Sequence, residues 1–150
     1  MASYLVIANQ TLGGAELRAK LDELGAAGNV ALHLVVPVSR TEGERDWEYP
    51  PTERTGPDAA TVARWLAQAR LNRELTRLIA VGVDATGEVV EHDPVERIRK
   101  SLDERQYDGI VVATLPQALS RWLLMDLPHR VTRLSTIPVT HVEGTAGPSL

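Results

Sequence analysis

The chain has 150 residues, no cysteine, 43% apolar residues, and 16 Lys and Arg against 20 Asp and Glu. This composition excludes a disordered chain, a disulfide scaffold, a thiolate metal site and a cysteine nucleophile. The net charge of −4 argues against a general nucleic-acid binder, which needs a basic face.

Residues Met1 to Ala8 are apolar, but the run is too short for a signal segment and has no basic lead. No stretch approaches the roughly 20 apolar residues that span a bilayer. A cytoplasmic location is the expectation. Tyr4-Leu5-Val6-Ile7-Ala8 predicts a strand buried on both faces. Asn9 to Gly14 breaks it. Leu17, Leu21 and Leu24 then form a helical stripe, with Gly25 or Gly28 as the left-handed stop. A second strand runs from Val30, and Pro37 argues against a central strand beyond Val36. Arg40 to Asp58 is a polar loop holding Trp47 and Tyr49, and its acidic residues suit solubility. In the next helix, Val62, Trp65, Leu66 and Ala69 share one face, and Leu71, Leu75 and Leu78 continue with a shifted phase.

Gly82 ends that helix, and Val83 to Glu91 predicts a strand around Val89-Val90. Asp93-Pro94-Val95-Glu96 is the clearest start signal. Asp93 suits the N-cap, Pro94 the first helical position, and Glu96 can reach back to the cap N–H. Ile110 to Ala113 predicts a fourth buried strand. Asp126-Leu127-Pro128 opens a further helix with Val131 and Leu134 inward, and Ile137 to Val142 is the last strand. The domain thus covers 1–142, with 143–150 as a flexible tail carrying two glycines and a proline.

Five strands alternating with four helices imply an α/β fold, with a parallel sheet covered by helices on both faces. In such sheets ligands bind beyond the strand carboxyl ends, at the switch point. That selects Asn9, Thr11, Val36, Ala113, Thr114, Asp126 and Leu127 as candidate ligand residues. Asn9 can hydrogen-bond a ribose or a base, or simply make an Asx turn. Thr11 is a loop hydroxyl or a ligand contact. No Gly-x-Ser-x-Gly elbow occurs, and His33, His92, His129 and His141 form no metal motif. No catalytic residue or metal site is assigned.

The order, lengths and local signals resemble the universal stress protein family. The anchors are the strand Tyr4 to Ala8, His92-Asp93-Pro94 with Ile98, the strand Asp108 to Ala113, and Arg130-Val131 followed by Ile137-Pro138-Val139. The resemblance implies a doubly wound five-stranded sheet of order 3-2-1-4-5 and a homodimer. Nucleotide-binding members carry an acidic residue after strand one. They also carry Gly-x-x-Gly, nine further residues, then Gly-Ser or Gly-Thr. The glycines let the backbone approach phosphates. Here the acidic position is Asn9, the loop reads Ala113-Thr114-Leu115-Pro116, and the Gly-Ser pair falls on Met125-Asp126. Asp126 would set a carboxylate where a phosphate sits. Like charges 4 Å apart repel by about 1 kcal/mol in water and by about 4 near a protein surface.

The expectation is a non-catalytic protein without ATP or another cofactor, acting through a small ligand or a protein partner. One alternative is an ATP- or AMP-binding member with an altered loop. Another is a small hydrolase using Asp126 and His129. The last strand, with Ile137, Val139, Thr140, His141 and Val142, is the expected dimer interface. No nucleic-acid or membrane partner is expected.

Overall fold

In the computed structural model, residues 1–38, 59–91, 93–116 and 127–148 are described. Within them lie β1 (Ala2–Ile7), α1 (Ala15–Ala26), β2 (Val30–Pro37), α2 (Ala59–Ala80), β3 (Asp84–Val90), α3 (Pro94–Glu104), β4 (Gly109–Thr114), α4 (Leu127–Thr132) and β5 (Val139–Glu143). The strands form one parallel sheet in the order β3-β2-β1-β4-β5. This is the α/β sheet order that the resemblance implied.

Successive side chains of a strand point to opposite faces, so one sheet feeds two cores. Val6, Leu32, Leu34, Val36, Val111 and Ala113 face α1 and α2, where Leu17, Leu21, Leu71 and Leu78 cover them. Leu5, Ile7, Val35, Ile110 and Val112 face α3 and α4, and pack on Val95, Ile98 and Val131. The central strands are apolar on both sides because both sides are covered.

The local signals come out unevenly. Gly28 and Asn29 take left-handed backbone after α1, and Gly82 does so after α2. Asp93 caps α3, its Oδ1 accepting the Val95 N–H at 3.0 Å. Glu96 does not reach back as expected. Its carboxylate binds Arg99 Nη2 at 2.6 and 2.7 Å, so only half of the capping box forms.

Three further expectations are corrected. β2 runs through Pro37, which stays in register with Val90, although β2 is a central strand. Pro37 closes the strand, where one missing N–H is tolerated. In α2 the inward residues are Ala63, Ala67, Leu71, Glu74 and Leu78, while Trp65 is 58% exposed. Small alanines let the helix approach the sheet. The last strand starts at Val139, not Ile137. The Pro138 carbonyl accepts the Ile110 N–H at 2.9 Å, but Pro138 has no N–H to extend the ladder.

Candidate functional site

The carboxyl ends of β1, β2 and β4 lie side by side, and the switch point falls between β1 and β4. Asn9 stands just past β1 and is 2% exposed. Its side-chain amide donates to the Pro37 carbonyl at 2.8 Å. Its Oδ1 accepts from Arg70 Nη1, on α2, at 3.1 Å. Asn9 thus joins β1 to the end of β2 and to α2. The β1–α1 loop turns on hydrogen bonds from Leu12 N to Asn9 O (3.0 Å) and from Gly14 N to Thr11 O (2.9 Å). Thr11 is buried, and its Oγ1 finds no partner among the described residues.

The remaining expected ligand residues divide into three groups. Val36 and Ala113 are fully buried in the core beneath α1 and α2. Thr114 is buried at the end of β4 and shares a 2.6 Å hydrogen bond with His141 Nε2 of β5. Leu127 opens α4, and Asp126 lies outside the described residues, as does the segment 117–126. The structure therefore brings Asn9 to the neighbour of Val36, and ties Thr114 to a residue expected at the dimer edge.

Several residues at this end of the sheet carried no sequence signal. Arg70 and Arg73 of α2 reach the β1–α1 loop, with Arg73 Nη2 donating to the Leu12 carbonyl at 3.3 Å. Residues 144–148, in the stretch expected to be a flexible tail, lie across the same loop. Gly144 N–H donates to the Thr114 carbonyl at 2.9 Å, and Gly147 N–H to the Gln10 carbonyl at 2.8 Å. Thr145 donates to Glu16 Oε2 through its N–H and its hydroxyl, each at 2.9 Å. The Thr145 N–H, then the N–H of Glu16 itself, then the Thr145 hydroxyl hold the Glu16 carboxyl below the usual carboxylate range. The glycine pair Gly144 and Gly147 was the one visible hint of close backbone approach.

Elsewhere, a polar cluster sits on the α3 side of the outer strands. His33 Nδ1 lies 2.8 Å from Thr86 Oγ1, and His33 Nε2 lies 3.4 Å from Glu88 Oε1. Arg97 Nε donates to the same carboxylate oxygen at 2.8 Å. Among the described residues no group of acidic or histidine side chains is arranged to hold a metal ion. No helix among them is long and apolar enough to cross a membrane.

Comparison with known proteins gives the fold its relatives. The model of the universal stress protein family matches residues 19–143. A universal stress protein from Archaeoglobus fulgidus superposes with a TM-score of 0.59 at 16% identity, over 95% of this chain and 94% of that one. A universal stress protein in complex with cAMP gives 0.59 at 21% identity, over 96% and 98%. A family protein from Arabidopsis thaliana with AMP bound gives 0.59 at 12% identity, over 95% and 92%. At these identities the likeness is one of fold. No curated protein is significantly similar in sequence.

Proposed function

The chain belongs to the universal stress protein family, and from that premise we propose that it is a non-catalytic, homodimeric, cytoplasmic member that does not bind ATP. It acts through a small ligand or a protein partner that meets the carboxyl end of the sheet. One observation carries this reading. Asn9, at the position where nucleotide-binding relatives hold an acidic residue, has both ends of its side chain engaged, by the Pro37 carbonyl and by Arg70. A ribose or a base would have to displace both bonds, and a buried group left unpaired costs about 1–3 kcal/mol. The sequence of the β4 loop supports the same reading, with Pro116 and Met125 in place of bare glycine backbone and Asp126 in place of the serine or threonine.

A second reading keeps an adenine nucleotide as the ligand. Its support is that similar folds were solved with cAMP and with AMP bound. One measurement separates the two. A ligand present at 100 times its Kd stabilises the native state by about 2.7 kcal/mol. For a chain of this length that raises the thermal midpoint by roughly 5–11 °C. The expected result with ATP in the millimolar range is an unchanged midpoint. A rise of that size, or micromolar affinity by calorimetry, selects the second reading instead.

A further inference from the structure

Beyond β5 the chain turns back over the domain. Gly144 leaves the end of β4 through its bond to the Thr114 carbonyl. Thr145 binds Glu16 in the first turn of α1. Gly147 binds Gln10 in the β1–α1 loop. The Pro148 carbonyl accepts from Arg73 Nη1, on α2, at 3.0 Å. Five residues thus run from β4 past α1 to α2, on the α1 side of the switch point, where ligands enter open parallel sheets.

The approach is closer than side chains allow. A Cβ on Gly147 would overlap the Leu12 carbonyl oxygen, and a Cβ on Gly14 would overlap the Thr145 carbonyl oxygen. Both obstacles are backbone, so neither can swing aside. Glycine on each side of the contact is what lets the two stretches touch.

This contact is also easily released. Glycine-containing backbone loses much entropy on ordering, and the segment is held by a few hydrogen bonds at the surface. Thr145 and Pro148 are exposed, and the Glu16 bonds lie at the exposed rim. Segments of this kind open locally without unfolding the sheet.

We propose that residues 144–148 form an intrachain strap that locks the β1–α1 loop and closes the α1 side of the switch-point crevice. A small ligand of the crevice gains access when the strap lets go. The inference rests on the reading above that the intact chain does not bind ATP, and it adds a backbone barrier to the ones that Asn9 and the β4 loop supply.

The test uses two single variants of the full-length chain. Gly147→Ala drives the strap off Leu12, and Glu16→Ala removes the acceptor of both Thr145 bonds. AMP is the probe, and amide exchange at Leu12 and Gly14 reports the loop. A ligand that needs a minor open state binds weaker by the fraction open, so raising that fraction about tenfold tightens the apparent Kd about tenfold. The expected result is faster exchange at Leu12 and Gly14 in both variants, unchanged exchange in the central strands, and an AMP Kd at least about tenfold tighter than that of the intact chain. Unchanged exchange at Leu12 and Gly14 in the folded variants overturns the strap as a lock. Faster exchange with unchanged AMP affinity, including no binding by any form, overturns it as a closure. Micromolar ATP affinity in the intact chain overturns the non-binding reading alone. The ratio of variant to intact AMP affinity still decides the strap.

Discussion

Asn9 illustrates how much one atom type decides. At this position the side chain must donate to one carbonyl, that of Pro37, and accept from one cation, Arg70. Asparagine carries both functions on one short side chain. Aspartate, an acidic residue of the kind the family resemblance implies there, has only acceptors when ionised. It would keep Arg70 and set a negative oxygen against the Pro37 carbonyl. Asn9→Asp is therefore expected to lower stability by about 1–3 kcal/mol, the range for a buried group stripped of its partner. Urea unfolding at neutral pH measures this, and a more stable variant would contradict the assignment. The same substitution is expected to leave ATP unbound, because restoring one charge does not clear the crevice. The sequence offered Asn9 as an Asx turn or a ligand contact. It makes a turn, through its backbone carbonyl and Leu12, while its side chain serves as a cross-brace. The brace was hidden because Arg70 is 61 residues away along the chain.

Among the elements, α2 departs furthest from its sequence pattern. Trp65 is the largest apolar residue of its first half, and it faces solvent, while Glu74 is 1% exposed. Glu74 survives there because Arg77, one turn on, donates to its Oε1 from Nη2 at 2.6 Å and from Nε at 3.0 Å. Arg77 also binds Asp22 of α1 at 2.8 Å, so one guanidinium ties the two helices that cover this face. Glu74 Oε2 has no partner among the described residues. Breaking such a pair leaves a buried charge alone. Arg77→Ala is expected to cost toward the lower end of about 3–5 kcal/mol, since Arg77 is partly solvated. Adding Glu74→Gln to that variant is expected to restore part of the loss, and a chemical-denaturation cycle over both sites checks it. Legibility follows locality. The Asp93-Pro94 start of α3 and the Gly82 stop of α2 are decided within a turn of chain, and both were readable. The inward face of a 22-residue helix is decided by the sheet beneath it. A count of apolar residues set Trp65 inward, whereas close packing favoured Ala63 and Ala67.

For the molecule as a whole, β5 is the unsolved boundary. It pairs with β4 along one side, from Val139 opposite Ile110 to Glu143 opposite Thr114. Among the described residues nothing pairs with its other side. Open edge strands invite pairing with a second chain, and a two-fold axis satisfies both edges at once. The expected mass by light scattering at micromolar concentration is that of two chains, and a mass of one chain would remove the dimer through Val139, Thr140, His141 and Val142. Ile137 lies ahead of the strand and is half-buried against the α3–α4 core, so it supports the edge from within. The strand order was readable only through family likeness. The alternation of elements fixes neighbours in sequence, and nothing in a single strand says that β1 belongs between β2 and β4.

That central place of β1 bears on how the protein is made. A ribosome delivers β1, β2 and β3 first, and these can pair in the order β3-β2-β1. The second side of β1 is met by Ile110, Val111 and Val112, and the Ser3 N–H by Asp108, 105 residues downstream. Until then Leu5, Val6 and Ile7, all fully buried in the finished protein, border an unpaired strand. Synthesis at about 5–20 residues per second leaves that border open for seconds. A nascent chain that has emerged from the ribosome only as far as residues before Asp108 should be a client of holding chaperones, and one that has emerged past Thr114 should not.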